Sequence, residues 1–316
     1  MRRKGIVIVL LLLFTTACAQ GPESPVPVGT IIDPVVEVLP GTVPGQTPVQ
    51  PVPVETKPPV VLPNPDGKGE DDPLIPAPVV TLEVLREKYG KWETKEWGED
   101  VTGVVTRIDT EDKVVALTFD ACGGGAGMGY DRKLVEYLIR EKIPATLFLN
   151  GRWIEGNRKL FQELAANPLF EIENHGTLHK PLSVDGRSVY GIRGTSGVDA
   201  VVKEISENAR TIEEATGRKP KYFRSGTAYY DDVAVKIALE IGVTPVNFDV
   251  IADGGATFSE SGIVAASLRA KPGSILIYHM NHPEKSVAEG VMKAIPLLRE
   301  KGFRFVLLEE YGDRLK

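Results

Sequence analysis

The sequence predicts an α/β fold, a parallel sheet closed into a barrel, with an open doubly wound sheet as the alternative. Three observations carry that expectation. Seven short apolar runs are mostly separated by amphipathic segments of helical period. No G-x-G-x-x-G follows the first run, as an open dinucleotide-binding sheet would require. At the carboxyl ends of six of the runs, within one residue of the last position, stand polar residues: Asp120, Asn150, His175, Arg224, Asp249 and His279. In β/α barrels the carboxyl ends of the strands form the active face, so six such ends imply one shared pocket.

The runs are VVALTFD (114–120), ATLFLN (145–150), FEIEN (170–174), KYFRS (221–225), TPVNFDV (244–250), SILIY (274–278) and FRFVLLE (303–309). Between them, Asp131 is placed to cap DRKLVEYLIREK, and Asn157 to cap NRKLFQELAAN. Residues 199–216 form a longer helix that stops at Gly217, with Pro220 beyond. DDVAVKIALEIG ends at Gly242, and residues 285–301 supply the last helix. The glycine-rich CGGGAGMG at 122–129 lacks both the dinucleotide spacing and the Walker lysine. It reads as a flexible loop over a site.

The amino-terminal third has a different character. MRRKG precedes the apolar run IVIVLLLLF, which is well short of the ~20 residues needed to span a bilayer, and then TTAC. This describes a secretory signal of lipoprotein type over 1–17, with cleavage before Cys18 and lipidation there. Residues 18–80 form a Pro-rich linker, since 16 of the 24 prolines fall between Ala19 and Val80. Such a chain buries no core and extends as a tether of about 3.1 Å per residue. A helical lead-in, 81–109, precedes the folded domain, 110–316. Only Cys122 remains beyond the signal, so no internal disulfide braces that domain. The expected location is extracytoplasmic, with membrane contact through the lipid on Cys18. A net charge of −6 and the absence of a basic stripe argue against nucleic acid as a partner.

All four histidines fall in two pairs, His175 with His179 and His279 with His282. Histidine is the commonest metal ligand and titrates near neutrality, so the pairing points to metal-assisted hydrolysis. His175 and His179 are the candidate ligands. Asp120 is the candidate base acting on water, and Arg224 the residue that fixes it. His279 is the candidate acid, oriented by Asp249 or Asp253.

Together the motifs TFDAC (118–122), HGTLH (175–179), FRSG (223–226) and ILIYH (275–279) resemble the polysaccharide deacetylase (NodB-homology) family, carbohydrate esterase family 4, over roughly 110–310. The resemblance implies a distorted (β/α) barrel of seven or eight units and removal of N- or O-acetyl groups from sugar polymers. It also implies a divalent metal: zinc first, with cobalt, manganese or nickel as alternatives. By the same resemblance Asp120 matches the base, His175 and His179 the metal ligands, Arg224 the residue holding the base, and His279 the acid. Asp253 lies near the aspartate that tunes this histidine. Two departures stand out. Ala121 replaces the second aspartate of the family's TFDDG, its third metal ligand, which leaves Asp120, Cys122, Asp253 or His282 to complete the shell. The Pro and Tyr of R-x-P-Y are also missing. The expectation is a monomeric, lipid-tethered deacetylase of an acetylated envelope polysaccharide, peptidoglycan first. A non-catalytic glycan-binding protein on the same fold and an amidase on another small amide are the alternatives.

Overall fold

The computed structural model describes residues 80–316. The signal segment 1–17, Cys18 and most of the linker lie outside the described residues. Eight parallel strands form one curled sheet: β1 (Val114–Ala121), β2 (Ala145–Leu149), β3 (Phe170–Asn174), β4 (Tyr222–Phe223), β5 (Thr244–Pro245), β6 (Val250–Ile251), β7 (Ser274–His279) and β8 (Arg304–Val306). Their order is β6-β7-β1-β2-β3-β4-β5, and β8 pairs with the first half of β1. This is the distorted β/α barrel, with eight strands where the sequence shows seven runs.

The extra strand arises because 244–250 is not one strand. Thr244–Pro245 pairs with β4, and the chain then crosses to the opposite edge, where Val250–Ile251 pairs with β7. Pro245 has no amide to continue a ladder. Between the two halves, Asn247 Nδ2 donates to the carbonyls of Glu99 and Ala228, which ties the crossing down. The lead-in is only partly helical. α1 (Leu82–Tyr89) packs Leu85 and Tyr89 into the apolar cluster that α5 (Val198–Thr216) and α6 (Asp232–Glu240) also build. The chain then runs extended: the Val105 amide donates to Pro245 O and the Ile108 amide to Gly273 O. That segment reaches from the β5 edge to the start of β7 and helps to close the curl.

The other helices are α2 (Arg132–Arg140), α3 (Gly151–Gly156), α4 (Arg158–Ala165), α7 (Glu260–Ser267) and α8 (Val287–Glu300). Asp131 caps α2 by accepting from the Leu134 amide at 3.0 Å. Asn157 stands at the start of α4 but makes no cap bond; its Nδ2 donates to Met128 O and Trp153 O. α5 stops at Gly217, whose φ of +70° is one that glycine adopts without steric cost. Helices α3 and α7 lie in segments without a clear apolar stripe and are not foreseen in the sequence.

Strand alternation divides the core. Val115, Leu117, Phe119 and Ala121 of β1 face the layer between sheet and helices, with Leu147, Leu149, Leu276 and Tyr278. Val114 and Ala116 face the other side, with Phe148 and Ile275. Parity along β1 therefore places Thr118 and Asp120 on the inner side.

Candidate active site

Position 120 is the last inward place on β1, and its register partner on β7 is His279. The Asp120 carboxylate is buried, and Arg224 Nη1 donates to its Oδ1 at 2.7 Å. Arg224, just past β4, is itself fully buried. It is fixed by Thr118 Oγ1 (2.9 Å), Val246 O (3.1 Å) and Asn247 O (2.9 Å), with the guanidinium 4.1 Å from the Phe148 ring centroid. Burial pushes the Asp120 carboxyl up, but Arg224, His175 and His279 outweigh it and hold it below its ordinary value. The carboxylate is therefore ionised at neutral pH.

On the neighbouring strand, His279 ends β7 with Nδ1 3.1 Å from Asp253 Oδ1, while its amide donates to Asp253 Oδ2. Burial pulls the His279 imidazole down, and the Asp253 carboxylate overrides this, raising it well above the usual histidine range. Asp253 is thus the partner of His279. Asp249, the competing choice, is not at the site: its carboxylate accepts from the Ile275 amide and Ser274 Oγ and pairs with Arg107, at the opposite end of β7.

His175 follows β3. Its Nδ1 donates to the Arg224 carbonyl at 2.9 Å, which fixes the tautomer and leaves the Nε2 lone pair free. His179 has φ +59°, and its Nε2 is buried without a hydrogen-bond partner. The two rings meet edge to face at 4.9 Å. Cys122 Sγ lies 3.8 Å from His175 Nε2, and the donor atoms of Cys122, His175 and His179 lie within 4.8 Å of one another. Burial pushes the Cys122 thiol up, while His179, His175 and His279 more than offset it and hold the thiol well below its ordinary value. An unpartnered buried imidazole nitrogen, a second buried one facing Asp120 Oδ2 at 3.5 Å and the Cys122 sulfur, and a thiol held low by its histidine neighbours fit a divalent metal. His282 does not join them; its Nδ1 faces Glu284 Oε1 at 3.1 Å.

The histidine loop is held by Glu204, which the sequence did not single out, and by Asn150 and Gly226, which it placed near the site without a role. Glu204 of α5 accepts from the amides of Leu178 (3.0 Å) and Lys180 (3.1 Å), bracketing His179. Its only signal is an acidic side chain within the apolar stripe Val201, Ile205, Ala209 and Ile212. Asn150 donates to His175 O and Gly176 O while capping α3. Gly226, where the family pattern has its proline, has a visible reason: a Cβ there would collide with the backbone of His179. Glu204→Gln leaves the fold intact and weakens metal affinity by roughly 10- to 100-fold, the scale of losing an outer-shell partner, as competition against a chelator measures.

The glycine-rich loop is not a loose flap. Asn281 Nδ2 donates to Gly127 O, Trp153 Nε1 to Gly129 O and Asn157 Nδ2 to Met128 O. Asp120, Cys122, His179 and His279 open into a groove of about 660 Å³ whose walls include Tyr190, Phe248, Ile251 and Phe258. Polar groups at the floor and apolar walls suit a small acyl group carried on a sugar.

Residues 107–246 match the family model described as polysaccharide deacetylase. A peptidoglycan-N-acetylglucosamine deacetylase of Bacillus cereus is 26% identical over 214 residues, 66% of this chain and 93% of its own length. A chitooligosaccharide deacetylase of Sinorhizobium fredii is 24% identical over 217 residues, 65% of this chain and 94% of its own. In fold, the chain is similar to a CE4 family pseudoenzyme from Bacillus anthracis, with TM-score 0.56 and 23% identity over 68% of this chain and 69% of that one. The family match stops before β7, so the placing of His279 against Asp253 rests on the geometry alone. Residues 107–246 form a polysaccharide deacetylase domain, of the kind found in hydrolases that act on carbon–nitrogen bonds other than peptide bonds, on a fold shared with carbohydrate esterase family 4 structures.

Proposed function

We propose that this protein is a metal-dependent deacetylase that hydrolyses N-acetyl, or O-acetyl, groups of an extracellular polysaccharide, peptidoglycan first among them. One observation carries the reading: a carboxylate held by Arg224 and an imidazole held by Asp253 end neighbouring strands beside two metal-competent histidines. His175 and His179 would hold a divalent metal, zinc first. Such a metal, when bound, polarises the acyl carbonyl and makes water a better nucleophile. Asp120 accepts the proton of the attacking water, and Arg224 keeps its carboxylate ionised and aimed. His279, protonated because of Asp253, donates its proton to the leaving amine. The groove walls exclude water around the acyl group.

Envelope localisation is part of the same reading. It rests on the lipoprotein-type segment ending at Cys18, the Pro-rich tether and a relative named for peptidoglycan. Among the described residues, no helix is long and apolar enough to cross a membrane.

The test is acetate release from an N-acetylglucosamine polymer and from peptidoglycan, using the full chain stripped of metal and titrated with zinc. Zinc-dependent release is expected. Ala121, in the place of the family's metal-binding aspartate, favours a second reading as a non-catalytic glycan-binding protein. Glycan binding with no acetate release at any zinc level selects that reading.

The acid carries a pH signature. His279 works protonated, and Asp253 raises its pKa, so kcat/KM holds through neutrality and falls as pH rises through that elevated value. In Asp253→Asn the stabilising charge is gone and burial pulls the imidazole down. The falling limb then moves to lower pH, and the rate at neutrality drops on the order of tenfold or more. A pH–rate profile that keeps its upper limb in place would remove Asp253 from this role.

A further inference from the structure

We propose that Cys122 is the third metal ligand, as a thiolate, and that it makes this centre selective for thiophilic cations, zinc and cobalt, over magnesium, manganese and calcium. The inference rests on the reading of His175 and His179 as ligands and adds the residue that completes their shell.

Strand parity supplies the first argument. Ala121 lies in the apolar layer outside the sheet, in register with Leu149 and in the same core cluster, so its side chain is turned away from the histidines. Cys122 continues the inward series Thr118, Asp120 and is the next side chain able to reach them. Its sulfur lies in the three-residue donor cluster, so the metal-binding position has moved one residue along the chain.

The second argument is how the backbone holds Cys122. Gly123 and Gly124 follow at φ +68° and +73°, turning the chain as soon as the strand ends. A Cβ on Gly123 would stand 2.6 Å from the Trp153 amide nitrogen, so the turn is pressed against α3 and the sulfur has a fixed place.

The third argument is chemical. A free cysteine buried as an inert apolar filler packs among hydrocarbon. This one is 3.8 Å from an imidazole nitrogen whose other nitrogen is already engaged, and the second imidazole presents a buried nitrogen with no partner. A Cys-His-His set leaves the fourth tetrahedral position open, the pattern of catalytic zinc sites. Soft sulfur raises preference for zinc and cobalt and disfavours the oxygen-seeking cations.

The experiment is cobalt(II) titration of the full-length, chelator-stripped protein, followed by absorption spectroscopy. Wild type develops a sulfur-to-cobalt charge-transfer band in the near ultraviolet together with visible ligand-field bands. Cys122→Ser loses the charge-transfer band and weakens cobalt binding by roughly the 10- to 100-fold of an outer-shell loss, or more. Cys122→Asp, which restores a carboxylate donor, binds cobalt without that band and lowers the zinc-to-manganese affinity ratio. Unchanged apo thermal unfolding in both variants excludes misfolding as the cause. Ligand-field bands without a charge-transfer band in wild type overturn the inference and leave the deacetylase reading in place. A charge-transfer band with no acetate release from any glycan supports the inference and overturns the deacetylase reading. No cobalt bound by wild type overturns the inference together with the metal-ligand reading beneath it.

Discussion

Asp120→Asn yields a folded, metal-binding protein whose deacetylation rate is lower by on the order of 10² to 10⁴. The substitution keeps the side-chain volume and an oxygen able to accept from Arg224 Nη1. Arg224 also keeps its bonds to Thr118 Oγ1, Val246 O and Asn247 O, so the buried network retains most of its pairing. What disappears is the only anionic oxygen on β1 that faces the groove. An amide takes no proton from water at neutral pH, so the loss falls on kcat and not on glycan affinity. Single-turnover acetate release from a soluble acetylated chito-oligosaccharide measures it, beside cobalt or zinc binding as the control. A rate within a few-fold of wild type would show that another group is the base.

Much of this site was legible in the sequence because strand ends are local. Apolar runs stop where the chain leaves the sheet, and Asp120, His175 and His279 sit where their runs predict. What the sequence could not rank were choices settled by tertiary register. Asp249 and Asp253 are equivalent as letters near His279. They differ because the chain breaks between β5 and β6 and crosses to the opposite edge of the sheet, which puts Asp249 beside Ser274 at the start of β7 and Asp253 beside His279 at its end. Cys122 and His282 differ likewise: parity along β1 carries the first inward, and the turn after β7 gives the second to Glu284. Glu204 was hidden because a carboxylate in a 19-residue amphipathic helix reads as solvent-facing until the histidine loop is seen folded over it.

The largest stability effect belongs to Arg224→Met. Methionine fills much of the same space beside Phe148 and removes every donor. Asp120 is then a buried carboxylate without its counter-ion, and Val246 O and Asn247 O lose the donors that Arg224 supplies. Breaking a buried pair from one side costs roughly 3–5 kcal/mol, which lowers Tm by roughly 6 to 20 °C in a domain of this size. Deacetylation falls with it, because an unpaired Asp120 in a buried site becomes protonated and can no longer act as base. The double variant Asp120→Leu/Arg224→Met separates the two roles. Replacing both charges with hydrocarbon of similar volume is often neutral for stability, so the double variant regains most of the lost Tm while remaining inactive. The two changes are therefore strongly non-additive in unfolding and share one end-point in rate. If Arg224→Met alone kept both wild-type Tm and rate, the ion pair would be neither structural nor catalytic. If the double variant unfolded as early as the single one, the cost would lie in the orphaned carbonyls of Val246 and Asn247 and not in the unpaired buried charge of Asp120.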